Sequence, residues 1–240
     1  LTRIDKKIQL VDASKTYVSN FSFPAQTETG FVMAYRGEKG DSAFVSLVEV
    51  DFKLSNTTET NISKEIFNVD SPKHYRKDNT WHMLVDEDGL HLAISRDFVT
   101  PTFDFTQSSW SFPVRQASYF YNFKKDKTFE GYKFTPSTKV IDVLKDPRKL
   151  FIAAHTVRDN LAFVTAKGSI LKSNQNISNV ANIIQFKSDN RPLIAVYTMQ
   201  NYSNKSYFNI LKSSMDLIPL NETTPLKKGI SYTQQMIENY

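Results

Sequence analysis

With 240 residues, the chain has room for one large β domain or for two units of about 100 to 120 residues, each able to bury a core. Its 40% hydrophobic and 23% charged content is that of a folded protein, and 18 Phe with 11 Tyr lean toward sheet. A net charge of +5, with Lys scattered rather than gathered into a run, argues against a nucleic-acid partner, and the lack of cysteine removes disulfides, thiolate metal sites and cysteine nucleophiles.

Residues 8–11 and 17–21 read as short strands around a turn at 12–14, and Pro24 ends that pattern. Residues 31–35 form a further strand, and the charged loop 36–41 joins it to the strand that organises the chain. There Val48, Val50, Phe52 and Leu54 alternate with Glu49, Asp51, Lys53 and Ser55, the period of two expected of a strand with one buried face. Asn56, Thr57 and Thr58 then turn the chain. Residues 61–67 fit either a short helical turn or a strand.

Residues 81–85 and 90–94 flank 86–89, a four-residue turn closed by Gly89. Pairing Val85 with Leu90 puts Trp81, Met83, Val85, Leu90, Leu92 and Ile94 on one face, and His82, Leu84, His91 and Ala93 on the other. Residues 98–113 are aromatic and bounded by prolines, which fits an edge strand or a loop over the end of a sandwich. Tyr119, Tyr121 and Phe123 share a face, residues 124–127 turn the chain, and Phe129, Tyr132 and Phe134 return. Pro136 and residues 145–149 make a polar junction, which divides the chain into domains 1–146 and 147–240. Beyond it lie apolar segments at 150–157 and 161–164, an Asn-rich stretch at 174–182, strands at 193–199 and 207–211, an apolar pair at 217–218, and a tail at 233–240 with the composition of a short helix.

In the second half Leu193, Ala195, Tyr197 and Met199 alternate with Ile194, Val196, Thr198 and Gln200 and run into Asn201, Tyr202 and Ser203. The shared exit predicts two copies of one domain. Val48, Val50, Phe52, Asn56 and Thr58, followed by Leu84, Asp86, Asp88 and Gly89, resemble the immunoglobulin-like domains of unknown function in secreted lipoproteins of low-GC Gram-positive bacteria. In those domains a strand written roughly as V-x-V-x-V-x-N-x-S precedes a hairpin written roughly as L-x-D-x-D-G. Leu193, Ala195, Tyr197, Asn201 and Ser203 match the strand alone, so the second domain reads as incomplete. The resemblance implies an extracytoplasmic β-sandwich and brings no catalytic residues with it.

Asp86, Glu87 and Asp88 offer clustered carboxylates to a cation, but without the further spaced ligands of a calcium loop they read as a solvated turn. His82 and His91 sit diagonally on one hairpin face with His74 nearby, and lack the further ligand a metal site needs. His155 lies in an apolar run and reads as a strand residue. Phosphate loops, dinucleotide fingerprints and Gly-x-Ser-x-Gly elbows are absent. The candidate ligand-binding residues are Trp81, Trp110, Tyr119 and Tyr121, flat platforms for a sugar ring or a peptide, with Trp110 foremost because it follows the polar Gln107, Ser108 and Ser109. Sequons at Asn20, Asn56, Asn61, Asn176, Asn201, Asn204 and Asn221 would mark exposed loops if glycosylated.

A secreted eukaryotic ectodomain of this size usually carries disulfides, so a cysteine-free chain points to a bacterial surface protein or an intracellular one. A start without Met fits a mature or trimmed ectodomain. The expectation is therefore an all-β chain of two tandem immunoglobulin-like β-sandwich domains, an extracellular surface protein or lipoprotein ectodomain with room for membrane attachment through a segment outside this chain. It would bind a protein or a cell-surface glycan, or act as a spacer, with no cofactor, no metal and no catalysis. The alternative is a viral or phage surface module that binds a host receptor or carbohydrate. An enzyme on a β-sandwich scaffold would need paired carboxylates meeting in a groove.

Overall fold

The computed structural model describes residues 9–10, 16–68, 75–99, 101–144, 149–155, 160–174, 180–188, 191–200, 205–212 and 224–225. All strand pairing in it is antiparallel, and one helical turn accompanies the strands. The first sheet holds β1 (Tyr17–Phe21), β3 (Gly30–Lys39), β4 (Ser42–Asp51) and β5 (Thr57–Asn61) in that order, with the short β2 (Ala25–Gln26) also on β3. The helical turn α1 (Ser63–Phe67) follows. The second sheet begins with β6 (Tyr75–Val85) and β7 (Leu90–Val99). The chain then leaves it to make a separate hairpin of β8 (Thr102–Asp104) and β9 (Ser109–Ser111), and returns as β10 (Val114–Phe123) and β11 (Phe129–Pro136). The third sheet runs β12 (Thr138–Val143), β13 (Leu150–His155), β14 (Asn160–Thr165), β15 (Ile170–Asn174). The fourth runs β16 (Val180–Ser188), β17 (Arg191–Gln200), β18 (Lys205–Lys212), β19 (Thr224–Pro225).

Each sheet is thus a meander in which neighbours in space are neighbours in the chain, apart from the short β2 and the inserted hairpin. The all-β expectation is met. Among the described residues the pairing does not display the Greek-key exchange between two sheets by which an immunoglobulin sandwich is built. The junction between residues 146 and 147 lies in the connection from β12 to β13, which pair with each other from Thr138 opposite His155 to Val143 opposite Phe151.

The sheets stack. Val32, Ala34, Val45 and Leu47 of the first sheet, closed at one edge by Ile62 and Ile66, pack on Trp81, Met83, Leu92, Ile94, Tyr119 and Tyr121 of the second. On the opposite face of the second sheet Leu84, Ala93 and Phe120 pack on Val140, Phe151, Ala153 and Val164 of the third. Both faces of the second sheet are therefore covered, and β7 is buried continuously from Leu90 to Phe98. Full burial of Phe120 and Phe123 contributes about 1.5–3 kcal/mol each.

Polar side chains tie the same layers together. The unpaired edge of β12 lies on the second sheet, where Val140 N donates to Ser95 Oγ (2.9 Å), Thr80 Oγ1 donates to Val140 O (2.8 Å) and Ser118 Oγ donates to Thr138 O (2.9 Å). Gln185 Nε2 on β16 donates to Asp142 Oδ2 and to Val143 O, both at 2.7 Å, and so joins the fourth sheet to the third.

The hairpin at 81–94 has the expected register, with Val85 opposite Leu90 and Trp81 opposite Ile94. The organising strand ends sooner than its alternation suggests. β4 stops at Asp51, whose carboxylate accepts hydrogen bonds from Ser55 N (2.7 Å), Ser55 Oγ (2.6 Å) and Asn56 Nδ2 (3.0 Å). These bonds hold its carboxyl down at about 2. Leu54 adopts φ 52° in the turn they close, while Phe52 meets Phe31 edge to face at 5.4 Å. Of residues 61–67, Asn61 closes β5 and Ser63–Phe67 resolve as a helical turn. Gln9 and Leu10 are outside any strand, and His74, residues 217–218, the tail at 233–240 and the sequons at Asn176, Asn201, Asn204 and Asn221 lie outside the described residues.

Candidate functional site

Two adjoining depressions open at the end of the stack marked by the turn from β6 to β7. The first, about 880 Å³, is lined by Gln26, Thr27, Glu28 and Thr29, by Glu49 of β4, by Val85, Asp86, Glu87, Asp88 and Leu90, and by Lys125 and Lys149. The second, about 720 Å³, is lined by Phe23, Pro24, Ala25 and Gln26, by residues 82–85 of β6, and by Asp142, Val143, Leu144 and Lys149. Gln26, Val85 and Lys149 line both, so together they form one cleft with a charged arm and a more apolar arm.

The turn that walls the charged arm is rigid for local reasons. Asp86 Oδ1 accepts from Asp88 N (2.9 Å) and Gly89 N (3.1 Å), and also faces His91 Nε2 at 2.9 Å. The other ring nitrogen of His91 lies 2.7 Å from Asn122 Oδ1, and Asn122 Nδ2 donates to Phe120 O (3.3 Å), so both nitrogens of this buried ring face oxygen acceptors. Gly89 has φ 155°, and a Cβ there would fall 2.1 Å from Phe123 O, which makes glycine obligatory.

Most carboxylates of the charged arm are already engaged. Glu28 pairs with Lys125 (2.8 Å), Glu49 with Lys127, and Asp88 with Lys167 (2.9 Å). The neighbouring ammonium groups hold the carboxyls of Glu28 and Asp88 below their usual range, so both are acceptors at neutral pH. In the apolar arm His82 is buried, and loss of water pushes its pKa down to about 4 despite the nearby Asp142 carboxylate. Its ring is neutral at pH 7. Asp142 accepts from Val143 N (2.8 Å) as well as from Gln185.

Of the four aromatic residues expected at a binding surface, Trp81, Tyr119 and Tyr121 are buried between the first and second sheets. The alternation that suggested platforms turns these rings toward the first sheet, and Tyr119 is further covered by Phe134 at 5.0 Å and by the Arg96 guanidinium 4.8 Å above its ring. Trp110 is 61% exposed, on β9, and packs against Phe103 at 5.1 Å. It stands at the other end of the second sheet from the cleft, since β7 runs from the 86–89 turn to the hairpin. The structure therefore does not bring Trp110 to the other three.

At that far end a buried polar cluster links the first two sheets. Arg96 Nε donates to Asp78 Oδ1 (2.9 Å), Arg36 approaches the same carboxylate at 3.8 Å, and Asp97 Oδ1 accepts from Asn79 (2.6 Å) and Gln116 (3.0 Å). Among the described residues no three His, Asp or Glu side chains group to hold a metal ion, and no helix is long and apolar enough to cross a membrane. Phe23, Glu28, Glu49, Lys125, Asp142 and Lys149 carried no signal as a group, because they sit on separate segments that only the stacking of sheets unites. No family model, no curated protein and no solved structure matches the chain.

Proposed function

We propose that this chain is a non-catalytic binding module that takes a glycan into the cleft between the 86–89 turn, β2 and the end of β12. The observation that carries this reading is the junction of the two arms across Gln26, Val85 and Lys149. A sugar presents hydroxyls around an apolar ring face, and needs acceptors and donors beside a flat hydrophobic surface. Glu87 and the second carboxylate oxygens of Glu28 and Asp86 offer acceptors, Lys149 and the remaining protons of Lys125 donors, and Phe23, 74% exposed at the apolar arm, a ring face.

Clustered carboxylates also invite a hydrolytic reading. Glycoside hydrolysis needs one carboxylic acid that keeps its proton near neutral pH. The shifts of Glu28 and Asp88 run the other way because each is held by a lysine, so neither suits the role of that acid. For the architecture, successive antiparallel meanders stacked face to face support a propeller-like arrangement in which each sheet is a blade. Two tandem immunoglobulin-like sandwiches are the second reading, and burial of β7 on both faces weighs against it. A glycan ligand suits the extracellular, surface-attached setting expected from the sequence.

The test is a panel of immobilised oligosaccharides probed with the intact chain, followed by calorimetric titration of any that bind. Phe23→Ala should weaken the bound sugar roughly tenfold, and Glu87→Gln should weaken it less, with unfolding curves unchanged. A panel with no binder, or a binder indifferent to both substitutions, removes the glycan reading.

A further inference from the structure

The hairpin of β8 and β9 is not part of the cleft, and among the described residues neither of its strands pairs with another sheet. Phe105 is 85% exposed and Phe112 62%, and with Trp110 and the half-exposed Val114 they put exposed apolar surface in and beside the hairpin. Phe103 backs this surface, edge to face with Phe105 at 5.0 Å and tilted against Trp110. Solvent-exposed aromatic groups of this kind mark an interaction surface rather than a folding requirement.

We infer that this hairpin is a wedge that seats the protein on an anionic lipid bilayer, with Phe105, Trp110 and Phe112 entering the boundary between headgroups and acyl chains. Three observations favour a bilayer as the occupant. From Pro101 to Val114 the sequence holds a single charge, Asp104, and its Oδ1 is occupied within the turn by Thr106 N (2.8 Å), Thr106 Oγ1 (2.6 Å) and Gln107 N (3.4 Å). Part of the polar surface of the tip is thus bonded internally before it leaves water, with β8 and β9 bonded to each other and Ser111 Oγ donating to Thr102 O (3.2 Å). The base of the wedge is cationic. Arg115 stands opposite Phe98 and Lys77 opposite Asp97, so two exposed cations flank the strand that leads into the hairpin, on a chain of net charge +5. Aromatic rings at the depth of the headgroups with cations behind them are complementary to an anionic membrane surface.

Trp81 is buried, so Trp110 is the exposed tryptophan and reports directly on the hairpin. The intact chain is mixed with vesicles of phosphatidylcholine alone or with phosphatidylserine at three parts in ten, then sedimented and followed by tryptophan emission. Protein should sediment with the mixed vesicles, more weakly with phosphatidylcholine alone, and its emission should move to shorter wavelength as Trp110 leaves water. Phe105→Asp combined with Trp110→Asp should reduce sedimentation by roughly tenfold or more while leaving the far-UV spectrum and unfolding midpoint in place. Arg115→Glu combined with Lys77→Glu should erase the difference between the two lipids. The inference fails if wild-type protein ignores both vesicles, if the double aspartate variant sediments as well as wild type, or if the hairpin instead holds a dimer that the aspartates dissociate while vesicles bind nothing.

Discussion

His82 shows how one position can carry a pH signature without a catalytic role. Its ring is buried in the apolar arm of the cleft and its folded pKa is near 4, below the 6.5 of an exposed imidazole. The unfolded chain therefore binds a proton, as pH drops below about 6.5, that the native ring refuses until about 4. Stability from this residue is intact above that window and is lost on acidification through it, by about 3 kcal/mol at pH 4. Urea unfolding at pH 7, 5.5 and 4 should show this loss, and His82→Leu should remove that part of the slope while other acid-sensitive groups keep theirs. Equal slopes for wild type and variant would show that the ring takes up its proton in the native state as readily as outside it. Asp51 illustrates the opposite case, a carboxylate whose turn hydrogen bonds lower its pKa in full exposure, where its effect on stability is screened by water.

At the scale of elements, hydroxyl groups do for β12 what a neighbouring strand would otherwise do. Ser95 Oγ accepts from Val140 N and lies 2.9 Å from Ser118 Oγ, which donates to Thr138 O, so the edge of the third sheet is satisfied by the face of the second. Ser95→Ala should cost about 1–3 kcal/mol by leaving a buried N–H unpaired, and Ser118→Ala a similar amount. Because the two share one network, the double variant should lose less than the sum, and strict additivity in a double-mutant cycle would break the argument. The sequence disclosed the 81–94 hairpin because alternation and a glycine turn agree there, and the pairing of Val85 with Leu90 followed. It left hidden that both faces of that hairpin are covered. His91 and Ser95 look polar on paper, yet they are buried because Asp86, Asn122 and Ser118 satisfy them. Burial of Trp81, Tyr119 and Tyr121 comes from the same source, since a period of two names a face without naming what lies against it. The cleft was illegible for a different reason, as Glu28, Glu49, Lys125 and Asp142 meet only through tertiary stacking.

At the scale of the whole molecule, stacked sheets have no natural seam inside a sheet, and this makes the junction at 146 a sharp test. Cutting there removes β13, β14 and β15 from β12 and uncovers Leu84, Ala93 and Phe120, which pack on Phe151, Ala153 and Val164. Each exposed large side chain forfeits about 1.5–3 kcal/mol, and a native stability of about 5–15 kcal/mol does not survive several such losses. Residues 1–146 and 147–240 expressed separately should therefore lack a cooperative thermal transition, while the intact chain unfolds as a sheet protein with one. Circular dichroism melts of the three samples decide the matter. A cooperative melt of 1–146 near the temperature of the intact chain would mean that the first two sheets need nothing from the third, and would restore a domain boundary at that junction. Loss of the transition in both pieces would mean that the cleft, whose wall includes Asp142 and Val143 of β12, exists only while the second and third sheets remain joined.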